Sequence, residues 1–207
     1  MNAKTVTLIM TGASGVDYGL RLLEDLIKAK VTVYLLLSRP ARIVIKMETG
    51  LNLPSQSKEV AAYFTKRYNA VEGQLQVFGK EQWLAPIASG SGVADATVIC
   101  PCTTGTLSAV AVGSSNNLLE RAADVAIKER KKLILVIRET PFSTLHLQNM
   151  LTLSQMGVVI MPANPGFYQL PKTIDDLIDF MVARILDHLA IPHLLMNPWG
   201  ESNPIVL

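Results

Sequence analysis

Short apolar segments alternate along this chain with segments of helical periodicity. The apolar segments have the length of strands and cover residues 6–10, 31–37, 97–100, 133–137 and 158–161. Between them, apolar residues recur every three to four positions, which predicts amphipathic helices, for example over residues 18–27, 118–131 and 174–189. This alternation predicts an α/β fold: a Rossmann-like (flavodoxin-like), doubly wound, mostly parallel sheet with helices on both faces.

The stretch of about residues 51–86 interrupts this rhythm. It contains a short helix candidate, residues 58–68, and a lone strand candidate, residues 74–78. We interpret it as an excursion from a single domain over residues 1–191, because 207 residues fit one α/β domain.

Composition predicts an assembly of copies. Hydrophobic residues make up 49% of the chain and charged residues 17%, which leaves apolar surface for a homo-oligomer to cover. The tail, residues 192–207, holds three prolines and Trp199, and we expect it to pack on a neighbouring surface. A net charge of +2 does not indicate nucleic-acid binding. No apolar run approaches the roughly 20 residues of a membrane span, and no secretory signal is evident, so we expect a cytoplasmic protein.

Hydroxyl side chains follow the strand candidate at residues 97–100. Thr103, Thr104 and Thr106 surround Gly105 where a helix is expected to begin. The N–H groups of a helix start, together with neutral hydroxyl donors, bind phosphate where the strands of an α/β sheet end. These residues therefore predict an anion cradle.

A second glycine-containing turn, residues 11–15, follows the first strand candidate. Its spacing differs from the dinucleotide fingerprint. The next strand ends in Ser38 and Arg39, where an NAD site has an acidic residue. This favours a mononucleotide, although Arg39 leaves NADP open. Two cradles at neighbouring strand ends predict that a phosphorylated cofactor and a phosphorylated substrate share one crevice.

Two further patterns are better explained by packing than by metal binding. Residues 175–179 match the DDxxD pattern of magnesium diphosphate sites. The apolar positions of this segment place the aspartates on a solvent face, and Thr173 is typical of a helix N-cap. Cys100 and Cys102 are too few for a disulfide framework or a zinc site. We therefore predict no metal.

Arg121 and Lys128 lie seven residues apart on the predicted helix 118–131 and share one face. A shared cationic face suits a phosphate. The alternative is a solvated stripe of ion pairs, with the acidic partners Glu120, Asp124 and Glu129.

Polar residues also follow the last two strand candidates. Arg138 and Glu139 come directly after residues 133–137, at the edge where open α/β sheets bind ligands. Tyr168 could present its ring and hydroxyl to the same crevice. Arg184, among apolar residues of the last helix, could reach an anion at an interface.

Together these motifs resemble the UbiX-type flavin prenyltransferase family, whose members were historically labelled phenylacrylic acid or polyprenyl-hydroxybenzoate decarboxylases. The similarity runs nearly end to end and is most specific over residues 118–141. The matching positions are residues 11–15, 18–19, 38, 48–49, 88–91, 100–103, 121–125, 128–130, 138–141, 161–163 and 167–168.

The resemblance implies a role for each matching position. FMN is held by Gly12, Ala13, Ser14, Ser38, Thr103, Thr104, Gly105, Thr106 and Arg138. The phosphate of dimethylallyl monophosphate is bound by Lys128, Tyr168 and Arg184, while Arg121 and the loop of Ser89 and Gly90 reach across a subunit interface. Proton-handling positions are Ser14, Glu48 and Glu139, and Trp199 matches an aromatic residue of the family's tail.

The implied activity is transfer of a dimethylallyl group from dimethylallyl monophosphate to N5 and C6 of reduced FMN, without a metal. The resemblance further implies a dodecamer, and a product that serves a UbiD-type decarboxylase, for example in ubiquinone biosynthesis. Two alternatives stay open. One is a direct FMN-dependent decarboxylase of an aromatic or cysteine-type acid. The other is a non-catalytic flavin carrier, which would leave Lys128, Glu139, Tyr168 and Arg184 without a task.

Overall fold

The computed structural model describes residues 3–197. Its centre is a six-stranded sheet formed by β1 (Thr5–Met10), β2 (Thr32–Leu37), β3 (Leu75–Phe78), β4 (Ala96–Cys102), β5 (Lys132–Ile137) and β6 (Val159–Pro162). All neighbouring strands are parallel, in the order β3-β2-β1-β4-β5-β6. This doubly wound order reverses direction between β1 and β4, which opens a crevice at the carboxyl ends of those two strands.

Seven α-helices connect the strands in the described part of the chain. They are α1 (Val16–Lys28), α2 (Arg39–Thr49), α3 (Ser57–Tyr68), α4 (Thr104–Ala111), α5 (Leu118–Lys128), α6 (Thr144–Gln155) and α7 (Ile174–Leu189). Two short 3₁₀ turns, Pro86–Ala88 and Gly90–Gly92, precede β4.

The sheet is buried on both faces, as an all-parallel sheet requires. On one face, Leu8 and Met10 of β1 pack with α1, α3 and α7, including Leu23 and Ile185. On the other face, Ile9 of the same strand packs with α4, α5 and α6. Alternate residues of one strand therefore enter two separate core layers.

The predicted alternation is confirmed, with two differences in detail. Residues 51–86 supply α3 and β3, and β3 pairs with β2 as the edge strand of the main sheet. The strand candidate at residues 74–78 is therefore not isolated. The prediction that one helix continues to residue 131 is wrong at its end: α5 stops at Lys128, because Arg130 has a φ of 54° and the chain turns there into β5.

Helix α1 lies unusually close to β4. A Cβ atom on Gly19 would clash with the carbonyl oxygen of Cys100. Glycine at this position lets the helix backbone rest directly on the strand. The turn that precedes α1 is thereby held at the crevice.

Large apolar side chains are exposed on the surface of the described chain. Leu84 is 101% exposed and Trp83 43%, in the loop before the first 3₁₀ turn. On α6, the exposed residues are Leu145, Leu147 and Leu151. Within residues 3–197, no helix has the length and apolar character needed to span a bilayer.

Candidate functional site

The loops after β1 and β4 are held together by Thr11, which is only 2% exposed. Its N–H and its hydroxyl both donate to the carbonyl of Pro101, at 3.1 and 2.8 Å. Its Oγ1 also accepts from the N–H of Thr103 at 2.8 Å. Thr11 therefore fixes the distance between the two loops that border the crevice.

The start of α4 has the hydroxyl cluster that the sequence predicts. Thr103 is the N-cap: its Oγ1 accepts from the N–H of Thr106 at 3.1 Å and lies 2.9 Å from Thr106 Oγ1. Gly105 is exposed, and a Cβ atom there would meet nothing closer than Thr103 Oγ1 at 3.9 Å. Because the first N–H groups of a helix have no partners inside the helix, this start can receive an anion.

The turn before α1 differs from the predicted phosphate cradle, because a carboxylate already lies at this helix start. Glu48 of α2 accepts from the N–H groups of Gly15 and Val16 at 2.9 and 3.0 Å and from the side chain of Ser14. Partial burial raises the pKa of Glu48, but these hydrogen bonds and the charge of Arg138 outweigh it and lower the pKa overall. The N–H groups at the start of α1 are therefore already occupied. Only the loop residues of this turn are available to a ligand.

The neighbouring strand end, after β2, contributes Ser38. Its Oγ accepts from the N–H of Ala41 at 3.0 Å and caps α2. Gly12 faces the same helix, since a Cβ atom there would clash with Pro40. Ala13, 4% exposed, is packed beside Gly12. This close approach of the loop after β1 to the start of α2 places Ser38 at the same crevice as that loop.

Arg138 borders the crevice from the end of β5. Its N–H donates to the carbonyl of Cys102 at 3.2 Å, which fixes it beside the start of α4. Its Nε is buried and has no hydrogen-bond partner within the described residues. Leaving a buried charged donor unpaired is costly, so the crevice fits an anionic group that accepts from Arg138.

Glu139 lies at the rim of the same crevice. Its Oε1 accepts from the N–H of Thr140 at 3.1 Å, and its Oε2 lies 3.4 Å from Thr104 Oγ1. The structure thus joins a carboxylate to the hydroxyl cluster of α4. A carboxylate in this position can accept a proton from a group bound in the crevice.

Cys100 and Cys102 are fully buried at the end of β4. Burial raises the pKa of both thiols, that of Cys102 to about 12. Neither forms a thiolate near neutral pH, which a nucleophile or a metal ligand would require. Their burial agrees with the interpretation of both cysteines as packing residues.

A second group of predicted site residues lies on the outer side of α5. Arg121 Nε donates to the carbonyl of Ala88 at 3.0 Å, and its NH1 donates to Asp124 at 2.8 Å. The bond to Ala88 ties α5 to the loop that continues into Ser89 and Gly90. Arg121 is therefore adjacent to this loop within one chain.

Lys128 belongs to the same group. It forms an ion pair with Glu129, and a Cβ atom on Gly90 would clash with the carboxylate of Glu129. Asp124 and Glu129 are thus ion-pair partners of the helix, as the alternative interpretation expected. Glu120 instead accepts from the residues before the helix and not from Arg121. We name Ser89, Gly90, Arg121 and Lys128 the α5 group.

A third group lies along α7. The ring of Tyr168 contacts the edge of Phe180, with 5.5 Å between ring centroids, and Arg184 follows Phe180 by one helical turn. Arg184 NH1 donates to Asp187 at 2.6 Å. We name Tyr168 and Arg184 the α7 pair. Trp199, the remaining predicted site residue, lies outside the described residues.

One chain does not bring these three groups together. Arg138 follows the carboxyl end of β5, whereas Lys128 precedes its amino end. The strand between them has six residues, or about 20 Å. Helices α5 and α7 pack on opposite faces of the sheet. The sequence predicts a single crevice for cofactor and substrate. Within one chain, that crevice contains residues that the resemblance assigns to FMN, but it does not contain Lys128.

Of the DDxxD aspartates, Asp176 has the helix-start role predicted for it, whereas Asp179 faces α1 instead of lying on a solvent face. Asp176 accepts from the N–H groups of Lys172 and Thr173 at 2.8 Å, which lowers its pKa. Thr173 Oγ1 in turn accepts from the N–H of Asp176 at 3.2 Å, completing a capping box. Asp179 binds Arg21 of α1 through both carboxylate oxygens, at 2.7 and 3.2 Å.

Sequence reasoning did not assign roles to Thr11 or Asp187. Thr11 stands within a quoted motif, but its function depends on a contact 90 residues away. Asp187 stands three residues after Arg184, a spacing at which helical side chains meet, so this signal was present.

Three comparisons extend these observations. The flavoprotein family profile matches residues 1–186. Flavin prenyltransferase UbiX of Pseudomonas aeruginosa is 54% identical over 198 residues, 96% of this chain and 95% of that protein. The crystal structure of AnUbiX (PadA1) in complex with FMN and dimethylallyl pyrophosphate is similar with a TM-score of 0.85 and 35% identity, covering 97% of this chain and 100% of that one. A dodecameric FMN-dependent UbiX-like decarboxylase from Escherichia coli gives a TM-score of 0.82 and 38% identity, over 94% and 98% of the two chains.

Proposed function

We propose that this chain, which belongs to the flavoprotein family and within it to the UbiX-type flavin prenyltransferases, transfers a dimethylallyl group from dimethylallyl monophosphate to N5 and C6 of reduced FMN. The observation that carries the proposal is its full-length similarity to a protein solved with both FMN and dimethylallyl pyrophosphate. Neither a direct decarboxylase nor a flavin carrier is favoured by a comparable observation.

The crevice fits FMN. A flavin phosphate needs neutral donors and a cation, and the start of α4 supplies hydroxyls while Arg138 supplies an unpaired buried Nε. The open space over Gly105 admits such a group. We assign FMN binding to Gly12, Ala13, Ser14, Ser38, Thr103, Thr104, Gly105, Thr106 and Arg138.

When bound and reduced, FMN supplies the electron-rich N5 and C6 positions that accept the prenyl group. The protein has two tasks. Cationic side chains stabilise the departing phosphate as the carbon–oxygen bond of the donor breaks, and aromatic faces stabilise positive charge on the allyl group. For the first task we assign Lys128 and Arg184, with Arg121, Ser89 and Gly90. For the second we assign Tyr168, together with Trp199.

Bond formation at C6 also releases a proton. Glu139 lies at the crevice rim and is joined to Thr104. Glu48 accepts a hydrogen bond from Ser14, which connects its carboxylate to the crevice through the Ser14 hydroxyl. We assign proton handling to these three side chains, Ser14, Glu48 and Glu139.

The separation of the three groups supports an active site shared between copies of the chain. Lys128 cannot meet Arg138 within one protomer, because β5 separates them. A homo-oligomer in which a neighbour's α5 group approaches the crevice resolves this. The E. coli relative is described as dodecameric, and we propose the same assembly here. Exposed Trp83, Leu84 and α6 leucines supply apolar surface for contacts between copies.

The product, prenylated FMN, is useful only to an enzyme that takes it as a cofactor. We propose that the consumer is a UbiD-type decarboxylase in the same cytoplasm, for example in ubiquinone biosynthesis. Mixing this protein, its substrates and an apo-decarboxylase of that type tests the link through release of carbon dioxide.

The function itself is tested with purified protein, reduced FMN and dimethylallyl monophosphate under anaerobic conditions without added metal ions. We expect release of inorganic phosphate and a flavin whose mass has increased by one C5H8 unit. A parallel reaction with dimethylallyl pyrophosphate identifies the donor. Carbon dioxide release from an aromatic acid by the protein alone would instead show a decarboxylase, and unmodified flavin with every donor would indicate a carrier.

A further inference from the structure

The guanidinium of Arg184 is held by a chain of hydrogen bonds from the segment that follows α7. Arg184 NH1 donates to Asp187 Oδ2 at 2.6 Å. The other oxygen of that carboxylate, Oδ1, lies 3.1 Å from His193 Nε2. His193 Nδ1 accepts from the N–H of Leu195 at 3.3 Å. One aspartate thus connects the arginine to the backbone of the C-terminal segment.

The contact with Leu195 fixes the protonation of the imidazole. A backbone N–H can only donate, so Nδ1 of His193 must be the unprotonated nitrogen. The proton of a neutral ring is then on Nε2, where it points at Asp187 Oδ1. The His193 side chain is only 11% exposed, and Leu195 packs against the core. This imidazole therefore has a defined orientation.

Two contacts connect the C-terminal segment to the α7 pair. Besides the bond of His193 to Asp187, Gln169 Nε2 donates to the carbonyl of Asn197 at 3.2 Å, next to Tyr168. The segment therefore lies against the aspartate that holds the arginine and against the loop of the tyrosine. An arginine that is already oriented loses less side-chain freedom when it binds a phosphate.

We propose that Asp187, oriented by His193, is a positioning residue that holds Arg184 in the conformation that binds the phosphate of the prenyl donor. This inference rests on the proposed function, because it takes that phosphate as the ligand of Arg184. Asp187 and His193 do not contact the donor themselves.

The direction in which one substitution changes donor affinity separates this positioning role from a simple charge effect. Asp187→Asn removes a negative charge beside Arg184, so electrostatics alone predict tighter binding of a phosphate. Loss of positioning predicts weaker binding. An ordinary exposed helix pair predicts almost no change.

We expect Asp187→Asn to raise both the KM for dimethylallyl monophosphate and its calorimetric Kd roughly five- to tenfold, which corresponds to about 1 to 1.4 kcal/mol. The kcat should fall as well, since Arg184 also stabilises the phosphate as it departs. FMN affinity should not change. In an Arg184→Ala background, Asp187→Asn should add nothing further.

His193 provides a test that leaves the carboxylate of Asp187 and the guanidinium of Arg184 in place. His193→Leu removes the bond to Asp187 and should raise the Kd of the donor in the same direction. His193→Gln should restore it, because an amide can donate to Asp187 and accept from Leu195. The matched control is Asp175→Asn, which removes the same charge from an exposed position on the same helix and should leave the Kd unchanged. If Asp187→Asn does not fold, the comparison of His193→Leu with His193→Gln tests the inference instead.

An unchanged or lower Kd in Asp187→Asn, or an effect that persists in the Arg184→Ala background, would overturn the inference. If wild-type protein prenylates FMN and these variants bind the donor as wild type does, the inference fails and the proposed function stands. If wild-type protein binds the donor without modifying FMN, the proposed function fails and the Kd ratios still decide the inference. Absence of donor binding in wild-type protein would overturn both.

Discussion

Glu48 shows how one side chain can change the chemistry of a helix start. Its carboxylate accepts hydrogen bonds from the N–H groups of Gly15 and Val16. These N–H groups would otherwise be free to bind a phosphate. The start of α1 is therefore neutralised internally, and the start of α4 remains for the ligand. A carboxylate in this place also gives the crevice a fixed negative charge beside Ser14.

The lowered pKa of Glu48 predicts a pH-dependent contribution to stability. The contribution is fully present above the pKa of an unfolded glutamate, about 4.3, and is lost as the pH falls through the lower folded-state pKa. At pH 7, Glu48→Gln should lower the Tm by about 1–4 °C. The difference from wild type should shrink at pH 3 in differential scanning calorimetry. Glu72→Gln removes the same charge from an exposed turn and serves as control; an equal shift there would contradict the assignment.

At the scale of elements, the crevice depends on how closely helices approach the sheet. Helix α1 rests on β4 at Gly19, and the first turn of α4 contains Gly105 with open space above it. The two glycines are both helical, but one is enclosed by protein backbone and the other faces the crevice. Their requirement for glycine therefore has two different physical causes.

Alanine at each position should separate packing from ligand binding. Gly19→Ala gains helix propensity but pushes α1 off β4, so we expect a net loss of about 1–2 kcal/mol in the free energy of unfolding. Gly105→Ala should keep or slightly raise stability, while its methyl group raises the Kd for FMN about tenfold or more. Urea denaturation and flavin fluorescence titration measure the two effects. Equal FMN affinity in Gly105→Ala and wild type would argue against the cradle.

At the scale of the molecule, the proposed active site is distributed over surfaces that one protomer keeps apart. The crevice opens at the carboxyl ends of the strands, whereas Lys128 lies by the amino end of β5. Closed assemblies bring different surface patches of identical chains together. Activity should therefore depend on assembly and not only on folding.

Co-expression of two inactive variants tests this directly. Arg138→Ala should lack FMN binding and Lys128→Ala should lack donor binding, so each protein alone should be inactive. In randomly mixed oligomers, about one quarter of the sites combine an intact crevice from one copy with an intact α5 group from another. We expect activity to return to roughly that fraction, measured as prenylated flavin per protein. No recovery in oligomers shown to contain both variants would place the whole site within one chain.

The sequence by itself determined the strands, most helices and the residues at each strand end. Buried parallel strands require apolar runs, and amphipathic helices require a 3.6-residue period, so both patterns are local. The same holds for the N-cap Thr173, whose effect is confined to one helical turn. The end of α5 escaped prediction because Arg130 adopts a left-handed conformation that its composition does not signal.

Only the tertiary structure decided which predicted site residues meet. Contacts between distant segments, such as Glu48 with the start of α1 or Thr11 with Pro101, depend on strand order and helix packing. Strand order put Arg138 beside the α4 cradle, because β5 pairs with β4. Local periodicity assigns a residue to a helix face or a strand end. Chain topology decides which residues from different elements become neighbours. Topology depends on packing between distant segments, so a local pattern does not reveal it.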